Sequence, residues 1–122
     1  MKINNFYDLT TWKKSHELVI DIYRITKDYP RDELYGVVSQ LRRASSSITA
    51  NIAEGFSRYH FKDKIRFYYH SRGSLAEVQN FLLLSKDLSY IDNKLSEELF
   101  RKTIDVAKLV NGLIRSTESQ IN

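Results

Sequence analysis

The polar residues best suited to chemistry lie along one face of a helix predicted in the middle of the chain. At about 100° per residue, five of them share one arc of that helix: Gln40, Arg43, Ser47, Asn51 and Glu54. A second carboxylate opposite Glu54, such as Glu77, would make a general acid–base pair or a ligand pocket. The alternative is a structural network, because buried charges are costly unless they are paired and hydrogen-bonded. We favour the structural network.

That network needs side chains from more than one helix. Arg43 and Ser47 are four residues apart, as are Ser47 and Asn51, so each pair can touch along the helix. Glu54 is about three turns from Arg43, and we therefore expect its partner to come from another helix or another subunit. A later predicted helix offers three partners: Arg72, Ser74 and Glu77. We call these eight residues the polar network.

The same central helix carries no charge between Arg43 and Glu54. A third arc holds three small residues at spacings of four and three: Ser46, Ala50 and Ala53. Alanine and serine can simply occupy a helix surface, and this interpretation has equal weight, since alanine is the best helix former. A long uncharged stretch is better explained if protein surrounds it. We therefore predict a homo-oligomer with these three residues at the subunit interface.

Cations and aromatic rings alternate just after this helix. Residues 57–72, SRYHFKDKIRFYYHSR, hold five Lys or Arg side chains against the single Asp63. Cations neutralise phosphates and aromatic faces stack on unpaired bases, so the pattern suits RNA or single-stranded DNA. The alternative is a solvated helix start whose aromatic rings belong to the core. The candidate nucleic-acid-binding residues are Arg58, Lys62, Lys64 and Arg66.

Other kinds of site have little support in the sequence. His16, His60 and His70 share no metal-ligand spacing, and neither a nucleophile elbow nor a glycine-rich phosphate loop is present. We therefore expect no metal, no cofactor and no enzymatic activity. The chain has no cysteine, no apolar stretch long enough to cross a membrane and no leader-like start, so we expect a cytoplasmic protein without membrane contact.

Long helices must position all these residues, because the chain has one proline and four glycines. Periodicity predicts helices at about 9–28, 32–55, 61–87 and 93–117, joined by short connections. This pattern is typical of a single all-α domain, an antiparallel up-down-up-down four-helix bundle. We expect Asp8 to cap the first helix and Gly55 to end the second in a left-handed conformation.

Apolar residues at helical spacing predict which side of each helix is buried. In the first helix the predicted core stripe is Trp12, His16, Val19, Tyr23 and Thr26, widened by Leu18, Ile22 and Ile25. In the second it is Leu34, Val37, Leu41, Ala44, Ile48 and Ile52. In the third it is Phe61, Ile65, Tyr68, Leu75 and Leu82, and in the fourth Leu95, Leu99, Val106, Val110 and Leu113.

Four blocks of the chain resemble the bacterial proteins encoded in intervening sequences of 23S ribosomal RNA genes. The blocks are DLTTWKKSHEL, YPRDELYGVVSQLRRASSSITANIAEGFSR, GSLAE and LSYI. The resemblance implies a four-helix bundle that assembles as a ring-like homopentamer, with no family activity to carry over. The chain is also similar to the accessory proteins of diversity-generating retroelements, whose pentamers bind reverse transcriptase and nucleic acid.

The chain departs from this family pattern at four positions. Thr49 replaces a common proline, which should leave the second helix straighter, and His60 replaces a Ser or Thr cap of the third. Tyr69 and His70 stand where small or aliphatic residues are common and could alter the subunit contact. We predict a non-enzymatic oligomeric scaffold that binds RNA or a nucleic-acid-handling protein. The alternative is a protein-protein assembly module without nucleic-acid affinity, and a ligand-binding or catalytic bundle ranks third.

Overall fold

Residues 2–121, the part of the chain that the computed structural model describes, form four long helices and contain no strand. We number them α1 (Thr10–Thr26), α2 (Ser39–Ser57), α3 (Phe61–Asp87) and α4 (Asn93–Glu118). Each helix packs on the next along the chain, and α1 packs on α4, which closes the bundle. The helices α2 and α3 are antiparallel, because Ser47 contacts Ser74 whereas Gly55, later in α2, is next to Tyr68, earlier in α3. The predicted all-α antiparallel four-helix bundle is confirmed.

The core runs along the bundle axis and is made mostly of branched aliphatic residues. Leu41, Ile48, Ile52, Leu75 and Leu82 are completely or almost completely buried, as the predicted stripes of α2 and α3 require. Two residues of these two stripes lie outside the core. Leu34, which precedes α2, is 46% exposed, and Phe61, the first residue of α3, is 41% exposed.

The buried side of α1 was predicted in part: Leu18, Ile22 and Thr26 are buried as predicted, whereas Thr11 and Ser15 were missed. The buried residues are Thr11, Ser15, Leu18, Ile22 and Thr26, whereas His16 and Tyr23 of the predicted stripe are exposed. Ser15 and Thr26 can occupy the core because each hydroxyl donates to the carbonyl four residues earlier, at 2.7 Å. His16 stacks on the ring of Trp12, with centroids 4.5 Å apart, at the edge of the bundle.

Both predicted ends of α1 and the predicted start of α2 need correction. Asp8 lies in a 3-10 turn, Phe6–Asp8, and Leu9 occupies the cap position without a side-chain cap bond. The helix ends at Thr26 rather than at residue 28. The segment before α2 consists of a 3-10 turn, Arg31–Glu33, and a widened turn, Leu34–Val38.

Gly36 explains that widened turn. Its φ of −112° and ψ of −115° are not helical, so the chain bends there before α2 begins. A Cβ at this position would lie 2.5 Å from Oε1 of Glu33, whose carboxylate folds back to accept from the Val37 amide at 3.4 Å. The other oxygen of Glu33 accepts from the Tyr90 hydroxyl at 2.6 Å, which ties the α1–α2 connection to the α3–α4 connection. This hydrogen bond raises the pKa of Tyr90 to about 12.

Gly55 has a different role from the predicted left-handed helix end. The helix continues to Ser57, and no glycine among the described residues has a positive φ. A Cβ on Gly55 would lie 2.6 Å from Cε1 of Tyr68 and 3.1 Å from the carbonyl oxygen of Lys64. Glycine is therefore required here so that α2 and α3 can approach closely.

Candidate functional site

The polar network exists in the structure, but only at its centre. The Ser47 hydroxyl accepts from the Ser74 hydroxyl of α3 and from the Asn51 amide, each at 2.9 Å. One turn away, the Ser71 hydroxyl donates to the carbonyl of Ile48 at 2.9 Å. Each bond joins half-buried or buried polar groups, so these residues fasten α2 to α3 and offer no free reactive group.

The remaining members of the predicted network do not join it. Gln40, Arg43 and Glu77 are exposed at the rim of a shallow groove between α2 and α3, with Ser47 and Ser74 in the same groove. Within residues 2–121 none of these three exposed side chains makes a hydrogen bond or an ion pair. The expected contact between Arg43 and Ser47 is therefore absent from this part of the chain.

Arg72 also turns away from the network, toward α4. Its guanidinium donates to Oδ1 of Asn111 at 3.4 Å and lies over the ring of Tyr69, 4.9 Å from the centroid. Tyr69 is 41% exposed. The sequence placed Arg72 in the polar network, whereas the structure places it against Asn111 and Tyr69.

Glu54 finds its partner on its own segment rather than on another helix. Arg58, four residues later, donates to Oε2 of Glu54 at 3.4 Å. Glu77 is level with Arg43, and Glu54 lies eleven residues farther along α2, which corresponds to about 16 Å. The two carboxylates are too far apart to act as an acid–base pair on one substrate.

The cations after α2 divide into a structural group and a free group. The ammonium of Lys64 donates to the carbonyl of Phe56 at 2.8 Å and reaches the Gly55 carbonyl at 3.5 Å. It thereby satisfies the last turn of α2, where carbonyls lack helical partners and a positive charge is favourable. Burial lowers the pKa of Lys64. Lys64 therefore caps α2, and its predicted role in nucleic-acid binding stays a prediction.

Arg58 is engaged in part, since it pairs with Glu54 and also lies over the ring of Phe67, 4.7 Å from the centroid. Lys62 and Arg66 are exposed on α3, and neither has an acidic partner among residues 2–121. Three aromatic side chains stand beside them: Tyr59, Phe61 and Tyr69, which are 87%, 41% and 41% exposed. We define the basic surface as these three rings together with Arg58, Lys62, Arg66 and Arg72.

The predicted subunit-interface residues lie on the outer side of α2. Ala50 is exposed, while Ser46 and Ala53 are half-buried. The Ser46 hydroxyl donates to the Arg42 carbonyl at 2.7 Å, so its hydrogen-bonding capacity is used within the helix. This side of α2 therefore presents small side chains whose polar atoms need no further partner.

No group of three or more His, Cys, Asp or Glu side chains within residues 2–121 is arranged to hold a metal ion. Over the same residues, none of the helices combines the length and apolarity needed to cross a membrane. His60 precedes α3 without a side-chain cap bond, as its departure from the family pattern predicted.

Comparison with known proteins supports the first of the two resemblances. Residues 7–112 match the family model of the 23S rRNA-intervening sequence protein. No curated protein matches the chain. The resemblance to accessory proteins of diversity-generating retroelements stays a prediction.

A solved structure from Bacteroides thetaiotaomicron, a protein of unknown function from the S23 ribosomal protein family, is similar in fold, with a TM-score of 0.80. The two chains are 23% identical, and the alignment covers 86% of this chain and 95% of the other. At that identity the likeness carries the fold alone.

Proposed function

The chain belongs to the 23S rRNA-intervening sequence protein family, and from that membership we propose that it is a non-enzymatic, homo-oligomeric helical scaffold that binds RNA. The assembly is a pentamer in the cytoplasm, and the basic surface of each copy contacts the nucleic acid. Neither a metal nor a cofactor takes part. A protein that handles nucleic acid is the alternative partner for the same surface.

The observation that carries this proposal is the pair of free cations at the start of α3. Lys62 and Arg66 lie one turn apart, are exposed, and lack an acidic partner within the described residues. Cations that are not neutralised within the chain can release counterions from a phosphate backbone, which favours binding. Arg72 lies farther along the same helix and adds a third guanidinium or ammonium group to this surface.

The exposed aromatic rings favour single-stranded nucleic acid. Tyr59 is 87% exposed at the end of α2, and Phe61 and Tyr69 are each 41% exposed on α3. Aromatic side chains this accessible can stack on unpaired bases without a conformational change. Arg72 already lies over the ring of Tyr69, so a base on the free part of that ring would meet a cation as well.

Oligomerisation would repeat this small surface. The four cations of one copy, one of which is paired with Glu54, give weak binding. Copies related by rotation present several such surfaces to one RNA strand and raise its effective affinity. The uncharged outer side of α2, with Ser46, Ala50 and Ala53, supports an assembly because a second chain can approach it without desolvating charge.

The test is the binding of a labelled single-stranded RNA of about 20 nucleotides as the salt concentration is varied. We expect the logarithm of the binding constant to fall linearly with the logarithm of salt concentration. The double variant Lys62→Glu, Arg66→Glu should bind at least about tenfold more weakly, with a salt dependence reduced by about two phosphate contacts per chain.

The matched control is Lys27→Glu, Lys94→Glu, which makes the same charge change at exposed positions at the opposite end of the bundle. This control should bind RNA with nearly the affinity of the wild type. Equal losses in both double variants would show that net charge alone drives the binding. RNA binding that is weak and independent of salt would refute the proposed nucleic-acid function.

The alternative function, a protein-protein assembly module, is favoured by the engagement of two predicted cations within the chain. Lys64 caps α2 and Arg58 pairs with Glu54, so half of the four predicted nucleic-acid-binding residues are already occupied. A stable oligomer that binds no RNA at low salt would establish this alternative. A sedimentation mass equal to one chain at micromolar concentration would refute both.

A further inference from the structure

The outer side of α3 carries a second surface, which neither the basic surface nor the polar network uses. Between residues 73 and 84, the exposed residues opposite the core are Gly73, Ala76, Asn80, Leu83 and Leu84, with Glu77 among them. Leu83 is 47% exposed and Leu84 is 39% exposed. We call the five uncharged residues the α3 surface. Glu77 is the one charge on this side of the helix between residues 73 and 84.

Gly73 has no explanation within the chain. It lies inside a helix of 27 residues, where glycine is less favourable than any residue except proline. A Cβ at this position would meet nothing within 4 Å, and the backbone has no positive φ. Neither packing within the chain nor backbone conformation therefore requires glycine. One structural use of glycine at an exposed helix position is to let the backbone of another molecule approach closely.

The charges beside the α3 surface indicate what that other molecule is. Arg43 of α2 and Glu77 of α3 stand at the rim of the groove along this surface, and both are exposed. Neither forms an ion pair within residues 2–121. An acidic or a basic partner would match one of these charges and repel the other. A second copy of this chain presents both signs and can match both.

We propose that the α3 surface is a contact with a second copy of this chain, and that the two copies approach most closely at Gly73. Arg43 and Glu77 each pair with the opposite charge on the neighbouring copy. Leu83 and Leu84 bury their exposed parts in the same contact. This inference rests on the oligomer of the proposed function and adds the surface through which the oligomer forms.

The first experiment replaces Gly73 and measures assembly by sedimentation velocity over a range of concentrations. We expect Gly73→Ala to raise the concentration needed for assembly several-fold, and Gly73→Gln to raise it at least about tenfold, because each added atom occupies the contact. The control is Gly112→Gln on α4. There a Cβ would meet only the Arg115 guanidinium, at 3.9 Å, so assembly should be unchanged.

The second experiment exchanges charges between copies. Arg43→Glu alone and Glu77→Arg alone should each weaken assembly at least about tenfold. An equimolar mixture of the two variant chains should recover part of the assembly, because Glu at position 43 of one copy then meets Arg at position 77 of the next. In a mixed pentamer four of the five contacts can join unlike chains, and the fifth joins two like chains. No recovery in the mixture would show that this pair forms within one chain, and would overturn the proposed pairing.

The outcomes separate this inference from the proposed function. A wild-type chain that stays monomeric overturns both. A wild-type chain that assembles, with Gly73→Gln assembling as Gly112→Gln does, overturns the α3 surface alone. A third measurement tests the same contact without a substitution at Gly73. The chain has no cysteine, so the thiol of Ala76→Cys should react with a maleimide at least about tenfold more slowly in the assembly than after dilution. The thiol of Glu98→Cys on α4 should not.

Discussion

Gly55 and Gly73 lie on the two neighbouring helices that share the closest packing in the molecule, yet their surroundings are opposite. Gly55 is buried, and a methyl group there would lie 2.6 Å from the ring of Tyr68. Gly73 is exposed, and a methyl group there would meet nothing within 4 Å. The fold explains the first glycine completely and leaves the second without a reason. Such a difference separates residues that serve the single chain from residues that serve something outside it.

The outer sides of α3 and α4 also differ in whether water alone is enough to cover them. Charged residues cover the outer side of α4: Lys94, Glu97, Glu98, Arg101, Asp105 and Lys108. This is the pattern of an amphipathic helix that meets water and needs no cover. On α3, the stretch from Gly73 to Leu84 replaces those charges with exposed leucines and small residues, apart from Glu77. A helix of this kind is stable in water but leaves apolar surface to be covered.

The largest expected change in stability comes from adding a methyl group at Gly55. Gly55→Ala places a methyl group against the Tyr68 ring and the Lys64 carbonyl, so one helix must shift. We expect the free energy of unfolding to fall by about 2 kcal/mol, within the range for overpacked cores, although alanine has the better helix propensity. Urea denaturation at a concentration where the chain is monomeric measures this. A gain in stability would show that Tyr68 moves freely aside and that the approach of α2 to α3 does not depend on glycine.

Much of the fold could be predicted because it follows from apolar periodicity. The structure places α3 at Phe61–Asp87 and α4 at Asn93–Glu118, within one residue of the predicted ends. The prediction for α1 missed Thr11 and Ser15 because they do not count as apolar residues, although it included the buried Leu18, Ile22 and Thr26. Serine and threonine hydroxyls become compatible with the core only when they bond to the preceding turn, as Ser15 does at 2.7 Å.

The site residues were harder to predict, because a charge in a sequence does not show where its side chain ends. Lys64 and Lys62 are equivalent by composition, yet one caps α2 and the other faces solvent. A signal was available in the helix end that Lys64 caps, since carbonyls there need donors. The kink at Gly36 depends on the Glu33 carboxylate, which lies between Val37 and Tyr90. Tyr90 is 57 residues away, and no local pattern shows that contact.

A second effect on stability, of similar size, tests the Gly55 contact through pH. Burial raises the pKa of Tyr68 from 10.0 to about 12, because the ionised phenolate would lose hydration in the bundle. Since the folded pKa lies above the unfolded one, this stabilisation is fully present below about pH 10 and is lost as the pH rises through about 12. Tyr68 alone should remove about 2 kcal/mol by pH 12.

The control for this pH effect is Tyr68→Phe, which keeps the ring against Gly55 and has no proton to lose. Its stability should fall less between pH 10 and pH 12 than that of the wild type, with a residual loss from Tyr90, whose pKa is also raised to about 12. Urea denaturation at several pH values measures both proteins. Identical losses would mean that the Tyr68 hydroxyl reaches water and that this part of the α2–α3 contact is open.

The smallest expected change in the free energy of unfolding is a gain, and it tests Gly73, the second glycine of the comparison. Gly73→Ala should raise the free energy of unfolding of the monomer by about 0.5 to 1 kcal/mol, because alanine has the better helix propensity and the unfolded chain loses freedom. Gly112→Ala should give a similar gain, since its Cβ would meet only Arg115, at 3.9 Å. Denaturation of both variants under conditions that keep the chain monomeric provides the measurement. If Gly73→Ala lost stability while Gly112→Ala gained it, some contact within the chain would require glycine at position 73. A gain in monomer stability together with weaker assembly would instead place that requirement in the neighbouring copy.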